Sequence, residues 1–235
     1  MGAEPAPGLN GPGETLTIYR KVIDRNYMSH RQIAEALGGC WLQDSPGRIL
    51  DLGCGDMEVT SALMRKAPPS IVVAVDGSSS ALEEARKRVE AVSTDGRFVN
   101  SDLLAFLRGN EGEFDWIIAG FTIHHLTAEE KVEFFALARR HLLSGGSLVL
   151  FDCVRPVGMS RDEAVTSYLD WIESDWTAMT DRENELIREH IEESDYPEEP
   201  GTLRAMAEEA GFAGWDLLGS WNEDRHVLFR FTGVA

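Results

Sequence analysis

Three carboxylates with nearby glycines occur where apolar, strand-like runs end. Asp51 begins the turn Asp-Leu-Gly-Cys-Gly, which places Gly53 and Gly55 two residues apart, whereas Asp76 and Asp102 follow the next two runs. Glycine lets the backbone approach a ligand that a side chain would hold away. In open α/β sheets, ligands bind beyond the carboxyl ends of the strands. We therefore expect these residues to line one binding edge.

Each carboxylate suits a different part of one ligand. Asp76 can accept hydrogen bonds from both hydroxyls of a ribose, and Asp102 can accept one from an adenine amino group. Asp51 is suited to an ammonium group, either directly or through water. Ribose, adenine and a positive charge together describe S-adenosylmethionine, which becomes S-adenosylhomocysteine once its methyl group is transferred.

A dinucleotide is a poor alternative for this turn. Its fingerprint requires a third glycine, at the position that Glu58 occupies in this sequence. The carboxylate of Glu58 would face the negative charge of a pyrophosphate. A cofactor without phosphate fits the turn better.

The elements that must position these groups alternate between strand and helix. Strands are predicted at residues 48–52, 71–75, 97–100, 116–119, 147–151, 214–218 and 226–231. Helices are predicted at residues 59–66, 80–92, 103–108, 128–143 and 202–210. This alternation predicts an α/β fold with a mostly parallel sheet covered by helices on both faces. Gly145 and Gly146 are interpreted as a left-handed cap of the preceding helix, and the last strand is predicted to be antiparallel.

The remaining segments are predicted to flank this domain. Residues 1–13, rich in glycine, proline and alanine, are predicted to be a disordered tail. Residues 14–45, helical over 16–42, form a lid, and residues 154–199 form a cap of two or three helices over the acceptor. The domain itself then comprises residues 14–153 and 200–235.

The sequence resembles the class I S-adenosylmethionine-dependent methyltransferase family in its motifs LDLGCG, VDGSS, NSDLL, FDWIIAGFTIHHL and LLSGGSLVLFD. The resemblance implies a Rossmann-like, seven-stranded sheet with a reversed last strand. It also implies that Asp51, Gly53 and Gly55 line the methionine part of the cofactor and that Asp76 and Asp102 bind ribose and adenine. Other predicted cofactor-binding residues are Cys54, Gly77, Ser101, Leu103, Gly120 and Phe121. Many members have a third glycine where this chain has Met57, which predicts a displaced helix start.

The acceptor side is less well defined by the sequence. Methyl transfer requires alignment, exclusion of water and, for some acceptors, removal of a proton. His124 and His125, just beyond the fourth strand, could remove that proton, and Tyr27 could close the methyl site. Either histidine could instead be a structural hydrogen-bonding residue, and Tyr27 could simply pack against the sheet. The predicted substrate-binding residues are Tyr19, Arg25, Asp152, Tyr168, Trp171 and His190.

The composition limits the classes of molecule that the protein is expected to bind. A formal charge of −18 disfavours nucleic acid and lipid surfaces, and the sequence has no apolar run long enough for a membrane span. Cys40, Cys54 and Cys153 have no metal-site or disulfide spacing, so we expect a cytoplasmic protein. The sequence has no acid cluster resembling a catechol-type metal site, so we expect no metal. The small-molecule acceptor is predicted to be an amine, because residues 154–199 combine aromatic side chains with many acids.

Three other functions remain open at this stage. The chain could be an enzyme that uses the same cofactor to transfer another group, for which Arg25 or Arg155 could hold an anion. It could be a non-catalytic module that binds the cofactor. It could also modify protein or RNA, although its charge and the absence of a recognition domain disfavour this.

Overall fold

One mixed sheet organises the protein in a computed structural model that describes residues 12–92, 94–109 and 112–233. Its strands are β1 (Arg48–Leu52), β2 (Ile71–Asp76), β3 (Asp95–Asn100), β4 (Phe114–Gly120), β5 (Leu142–Cys153), β6 (Gly214–Trp221) and β7 (His226–Thr232). They lie in the order β3-β2-β1-β4-β5-β7-β6. Strands β1 to β5 are parallel, whereas β7 is antiparallel to both of its neighbours. The predicted seven-stranded α/β fold with a reversed last strand is confirmed.

Helices cover both faces of this sheet. They are α1 (Pro12–Arg25), α2 (His30–Asp44), α3 (Glu58–Met64), α4 (Ser79–Glu90), α5 (Leu103–Gly109), α6 (Ala128–Arg140), α7 (Arg161–Asp175), α8 (Asp181–Ser194) and α9 (Pro200–Glu209). One apolar core joins α5, α6 and α9 to the sheet, and a second joins α2, α3 and α4 to the opposite face. None of the helices in the described part of the chain is long and apolar enough to cross a membrane.

The alternation of side chains along β1 explains why both faces carry helices. Leu50 and Leu52 belong to one core and Ile49 to the other, and all three are fully buried. Because successive strand residues point to opposite faces, a continuous apolar run requires cover on both sides. The carboxyl ends of β1 to β5 therefore meet at one edge, where the predicted ligand-binding residues lie.

A third apolar cluster joins α1 to α7 and α8. Each of the last two helices begins with a capping box, Ser160 with Glu163 and Thr180 with Glu183, in which side chain and backbone satisfy each other's hydrogen bonds. Glu183 also accepts a 2.7 Å hydrogen bond from Lys21 of α1. The predicted cap region thus contains two helices and packs directly on the N-terminal helix.

The N-terminal region differs from its prediction in two ways. Pro12 and the residue after it belong to α1 rather than to the predicted tail, whose other residues lie outside the described part of the chain. Proline suits the first turn of a helix because its φ is already helical. The helical region predicted over residues 16–42 is also divided, since Asn26 and Ser29 adopt positive φ of 56° and 59° between α1 and α2.

The predicted cap at Gly145 and Gly146 is wrong. Helix α6 ends at Arg140, and both glycines lie within β5. Gly145 has a φ of 74°, and a Cβ on Gly146 would lie 3.0 Å from the carbonyl oxygen of Asp115. Because the pairing of β4 with β5 is irregular here, the glycines accommodate a strand distortion rather than a helix end. The other predicted elements end within a few residues of the observed ones.

Candidate functional site

The turn after β1 brings two backbone segments into close contact. Gly53 and Gly55 have φ of 61° and 51°, and a Cβ on Gly53 would lie 2.2 Å from the hydroxyl oxygen of Thr122 beyond β4. Asp51 is buried beside this turn. Burial raises the pKa of Asp51 to about 7, opposed by a hydrogen bond from Thr60. A positive ligand group would stabilise the ionised form of this carboxyl.

Asp76 links the ends of β1 and β2. Its Oδ2 accepts a 2.8 Å hydrogen bond from the amide of Gly55, and its Oδ1 accepts one of 2.8 Å from the amide of Ser78. Burial raises the pKa of Asp76, and these two backbone bonds oppose the rise. A carboxylate has about four acceptor positions, so two remain for a ligand. The adjacent Gly77 is exposed.

Asp102 follows β3 at the same edge. Its Oδ1 accepts a 2.8 Å hydrogen bond from the amide of Ala105, which caps α5. The side chain is exposed, so the other oxygen is available to a ligand. The amide of Ser101 donates to the carbonyl of Asp76 at 3.1 Å and fixes the two strand ends together. Leu103 is buried beneath them.

Met57 stands in a backbone conformation that favours glycine. Its φ is 60°, directly before α3 begins at Glu58, and its side chain is 1% exposed. A left-handed conformation costs a residue other than glycine about 1–2 kcal/mol. Burial of the thioether side chain offsets that cost. The chain therefore keeps a glycine-like turn here without a third glycine.

Tyr19 of α1 lies over the glycine turn. Its hydroxyl donates to Oδ1 of Asp56 at 3.4 Å and approaches Gly55. Burial, together with the charges of Asp56 and Asp76, raises the pKa of the Tyr19 hydroxyl well above its usual value. Asp56 also forms a 2.7 Å ion pair with Arg88. The contact between Asp56 and Arg88 could not be predicted, because their spacing follows no recognised motif.

Tyr27, the tyrosine predicted to act at the methyl site, contacts the cap. Its ring stacks on Trp176 at 5.1 Å, and its hydroxyl accepts a 2.9 Å hydrogen bond from the amide of Ala178. Arg25, two residues earlier, is exposed at the end of α1. The structure does not bring either residue to the glycine turn, and their proposed contacts with ligands stay predictions.

The aromatic residue Phe121, just beyond β4, lies beside His30, which was not among the predicted site residues. Gly120 leaves space for the ring of Phe151, because a Cβ added at position 120 would lie 2.1 Å from the ring carbons. Phe121 has a φ of 47°, and its ring lies 5.2 Å from the ring of His30. Burial lowers the pKa of His30 to about 4, and its Nδ1 has no hydrogen-bond partner in the described part of the chain. Nothing in its sequence context indicated this position.

Asp152 holds the segment that follows β4. Its Oδ2 accepts hydrogen bonds from the amides of Ile123 at 2.9 Å and His124 at 3.1 Å, and its Oδ1 pairs with Nδ1 of His124. Burial by itself would lower the pKa of His124, but the charges of Asp152 and Asp195 raise it to about 9. In this state His124 is protonated at neutral pH.

A second carboxylate, from the end of the cap, reaches the same histidine pair. Oδ1 of Asp195 lies 3.1 Å from Nδ1 of His125 and 3.8 Å from Nε2 of His124. The ring of His190 lies 5.2 Å from that of His125, and burial lowers the pKa of His190. The three histidines were predicted site residues, whereas Asp195, which lies 70 residues after His125, was not.

Tyr168 and Trp171 of α7 surround His226 of β7. The Tyr168 hydroxyl lies 2.8 Å from Nε2 of His226 and 3.3 Å from Sγ of Cys153, and the Trp171 ring lies 5.7 Å from the His226 ring. Burial lowers the pKa of His226 to about 3, although the charge of Asp152 opposes this. His226 was missed because its strand was interpreted only as part of the sheet.

The predicted residues thus separate into two groups. The glycine turn, Asp76 and Asp102 share the edge formed by β1 to β3, with Cys54 buried in the turn. The predicted acceptor residues are divided. Asp152 ends β5, and Tyr168, Trp171 and His190 belong to the cap helices, whereas Tyr19 lies over the glycine turn and Arg25 is exposed at the end of α1. The acids that suggested an amine are exposed: Asp170, Glu173 and Asp175.

Comparison with known proteins gives a family match and several relatives. Residues 49–146 match a family model described as a methyltransferase domain. Ribosomal RNA small subunit methyltransferase C of Haemophilus influenzae is 35% identical over 105 residues, which cover 43% of this chain and 31% of that protein. Demethylmenaquinone methyltransferase of Thermus thermophilus is 33% identical over 115 residues, 49% of this chain and 51% of that protein. The matched part of this chain therefore spans from about a third to about half of the length of these relatives.

Solved structures resemble the whole fold. The plantazolicin methyltransferase BpumL, solved in complex with SAH, has a TM-score of 0.66 over 96% of this chain and 92% of its own. The sequence identity is 12%, so the likeness concerns the fold.

Proposed function

We propose that this chain, which carries a class I S-adenosylmethionine-dependent methyltransferase domain, transfers a methyl group from S-adenosylmethionine to a small-molecule acceptor. The observation that carries the proposal is the Asp76 carboxylate at the end of β2. Its contact with the Gly55 amide joins the glycine turn to a carboxylate with two acceptor positions left for ribose hydroxyls.

The cofactor residues divide the work as follows. Asp51, buried and with a raised pKa, is stabilised in its ionised form by the ammonium group of the methionine part. Asp102 accepts a hydrogen bond from the adenine amino group, beside Ser101 and the buried Leu103. Gly77 and Cys54 contact the cofactor through the backbone, and the Gly120–Phe121 segment lies along it.

Methyl transfer from S-adenosylmethionine mainly requires the protein to position the two reactants. S-adenosylmethionine supplies a methyl group that is already activated by a positive sulfur. The protein must align the acceptor and exclude water. Tyr19 over the glycine turn and the packed cap helices are suited to that exclusion. We propose Tyr19, Arg25, Asp152, Tyr168, Trp171 and His190 as the acceptor-side residues.

A proton acceptor is needed only for some acceptors. His125 and Tyr27 remain proposed for this step, together with His124, whose raised pKa leaves it protonated at neutral pH and suits it to hydrogen-bond donation instead. We add His30, which is neutral, lies against Phe121 and has a free Nδ1 among the described residues. Replacing His30 with Ala should lower kcat more than it weakens cofactor binding.

Calorimetric titration with S-adenosylhomocysteine tests the cofactor proposal, with NAD as the control ligand. We expect binding of S-adenosylhomocysteine alone. Asp76→Ala should weaken that binding by about 1.5–3 kcal/mol, or about 10–150-fold, because charge-assisted hydrogen bonds are lost. Asp95→Asn, an exposed carboxylate at the start of β3, should leave the affinity unchanged. Equal affinities for the two variants would refute the ribose assignment.

The small-molecule acceptor is supported by the charge of −18 and by the cap over the β4–β5 end of the edge. The amine remains a prediction, and the exposed acids of α7 do not support it. Screening aromatic amines, amino acids, carboxylates and transfer or ribosomal RNA for labelled methyl acceptance tests both points. Methylation of carboxylates alone would reject the amine, and methylation of RNA alone would reject the small molecule.

Two alternatives use the same cofactor site. A non-catalytic binding module would bind S-adenosylhomocysteine but methylate none of these acceptors. An enzyme that transfers another group needs an anion holder, and Arg155 is already paired with Glu198 and Glu199. Arg25, which is exposed, remains available for that role.

A further inference from the structure

The His124–His125 pair and Asp195 form a cluster, and the proposed methyl transfer assigns no role to Asp195. Both histidines belong to the short 3-10 turn Ile123–His125 after β4, whereas Asp195 directly follows α8 of the cap. Each of the three residues offers one ligand atom, and these atoms lie within 4.8 Å of one another. The cluster therefore connects the sheet edge with the cap.

Asp195 has an unsatisfied acceptor in this cluster. The residue is 7% exposed, and its Oδ1 has no hydrogen-bond partner among the residues that the structure describes. The Nδ1 of His125 lies 3.1 Å from it, but hydrogen-bonds to the carbonyl of Ser194 at 3.3 Å. The 3.8 Å separation from Nε2 of His124 is too long for a hydrogen bond. This buried oxygen therefore faces the charge of His124 at 3.8 Å without accepting a hydrogen bond from it, and a bound cation would coordinate it directly.

The distances suit a tetrahedral metal ion. With metal–ligand bonds of about 2.0–2.2 Å, two ligands of a tetrahedral Zn²⁺ ion lie about 3.3–3.6 Å apart. The observed separations of 3.1 Å and 3.8 Å are on either side of that range. The ligand atoms of the two histidines lie within 4.8 Å of each other, so the side chains would have to rotate to bring all three atoms around one ion.

Asp152 supplies the outer contact that such sites use. It is fully buried and pairs with Nδ1 of His124, so Nε2 of the same ring faces Asp195. Histidines that bind metals commonly donate their other ring N–H to a carboxylate, which fixes the ring and raises its basicity. Asp152 would hold His124 in the same way, with the metal ion on the opposite nitrogen of the ring.

We propose that His124, His125 and Asp195 bind a divalent transition-metal ion, Zn²⁺ being the probe, and that this ion fastens the cap to the sheet edge. Nε2 of His124, Nδ1 of His125 and Oδ1 of Asp195 are the ligands, and Asp152 orients the first. On binding, His124 releases its Nε2 proton to solvent, and the proton of His125 is then carried on Nε2, because each coordinating nitrogen must be unprotonated. Two imidazoles and one carboxylate are a known ligand set for Zn²⁺. His125 is half-exposed, which leaves the fourth position open to water. A metal bound there would exclude His125 from acting as the base.

Titration of the metal-stripped, tag-free full chain with Zn²⁺, in the absence of cofactor, tests the site. We expect one equivalent to bind and to raise the Tm. His125→Gln and Asp195→Asn should each weaken binding by more than about tenfold, because each removes a ligand. Two control variants should bind Zn²⁺ as the wild type does. Glu193→Gln changes an exposed acid near the end of α8, and Cys40→Ser removes a half-buried thiol.

Titration with Co²⁺ identifies the donor atoms. Visible ligand-field bands without a thiolate charge-transfer band are expected for nitrogen and oxygen ligands. The proposal is overturned if no stoichiometric ion binds, if His125→Gln and Asp195→Asn bind as well as Glu193→Gln, or if a thiolate band appears. Because none of these measurements uses S-adenosylhomocysteine, failure here is distinct from failure of the proposed methyl transfer.

Discussion

Two buried histidines lie on either side of the end of β5 and differ in ionisation. His124 pairs with the carboxylate of Asp152, and its pKa rises to about 9. His226 is bonded only to neutral groups, and burial lowers its pKa to about 3. Burial disfavours the charged form of both rings, so the difference comes from the partner. A hydrogen-bonded carboxylate overcomes desolvation, whereas a hydroxyl and an amide do not.

The bonding around His226 is also complete, unlike that around Asp195. Nδ2 of Asn222 donates to the carbonyl of Tyr27 at 3.0 Å and to Nδ1 of His226 at 2.8 Å. The proton of His226 is therefore on Nε2 and is donated to the Tyr168 hydroxyl. That hydroxyl can in turn donate to Sγ of Cys153. The His226 network is closed and structural, whereas the His124 cluster retains an unsatisfied oxygen.

The largest effect is expected on the His124 side. Asp152→Ala removes the acceptor of three backbone amides, those of Ile123, His124 and Cys153, and leaves the buried charge on His124 with only the more distant Asp195. Breaking a buried pair in this way should lower the free energy of unfolding by about 3–5 kcal/mol, measured by urea denaturation at neutral pH. Asp170→Ala, at an exposed position of α7, should change it by less than about 0.5 kcal/mol. A similar small loss in both variants would mean that His124 is not charged.

A smaller effect is expected from Tyr168→Phe on the His226 side. The variant keeps the ring but leaves the Nε2–H of His226 without its acceptor, which should cost about 1–3 kcal/mol of unfolding free energy. Tyr196→Phe, on an exposed tyrosine, is the matched control and should cost less than about 0.5 kcal/mol. If the two variants were equally stable, the closed network would not contribute to stability.

The smallest effect concerns pH. The pKa of His226 is about 3 in the folded protein and about 6.5 in the unfolded chain, so the unfolded chain binds the proton first as the pH falls. The stabilisation is therefore present above pH 6.5 and decreases below it, by about 1.4 kcal/mol at about pH 5.5. His30 and His190 titrate in the same direction, so His226→Gln serves as the reference.

The measurement is the difference in unfolding free energy between wild type and His226→Gln at pH 7.5, 6.5 and 5.5. We expect the advantage of the wild type to shrink as the pH falls. Parallel profiles for the two proteins would show that His226 is not held neutral, and the contrast with His124 would then be lost.

Short-range sequence patterns were sufficient to predict many of the residues at the edge formed by β1 to β3, where the cofactor is proposed to bind. Asp76 and Asp102 could be assigned to one edge because strand–helix alternation makes β1, β2 and β3 parallel, and parallel strands end on the same side. Met57 was recognised as a departure, but its positive φ and burial were not predictable. Gly145 was misassigned because a glycine after a helix pattern predicts a cap equally well whether the chain turns or enters a bulged strand.

The acceptor side could be predicted only in part, because its contacts join distant segments. Tyr19 and Tyr27 are equivalent candidates on one helical pattern, and only the packing of α1 on α8 brings the first to the glycine turn and the second to Trp176. Asp195 and His226 lack a motif altogether. Their significance comes from neighbours that are far away in the chain.

The sequence by itself determined the α/β fold and the order of the carboxylates and glycines at the cofactor edge, because periodicity and turn residues are local properties. Only the tertiary structure decided which histidine is charged and which is neutral. Ionisation depends on burial and on the charge of groups within a few ångströms. Asp152 and Asp195 reach His124 from different elements, and no spacing along the chain records that approach.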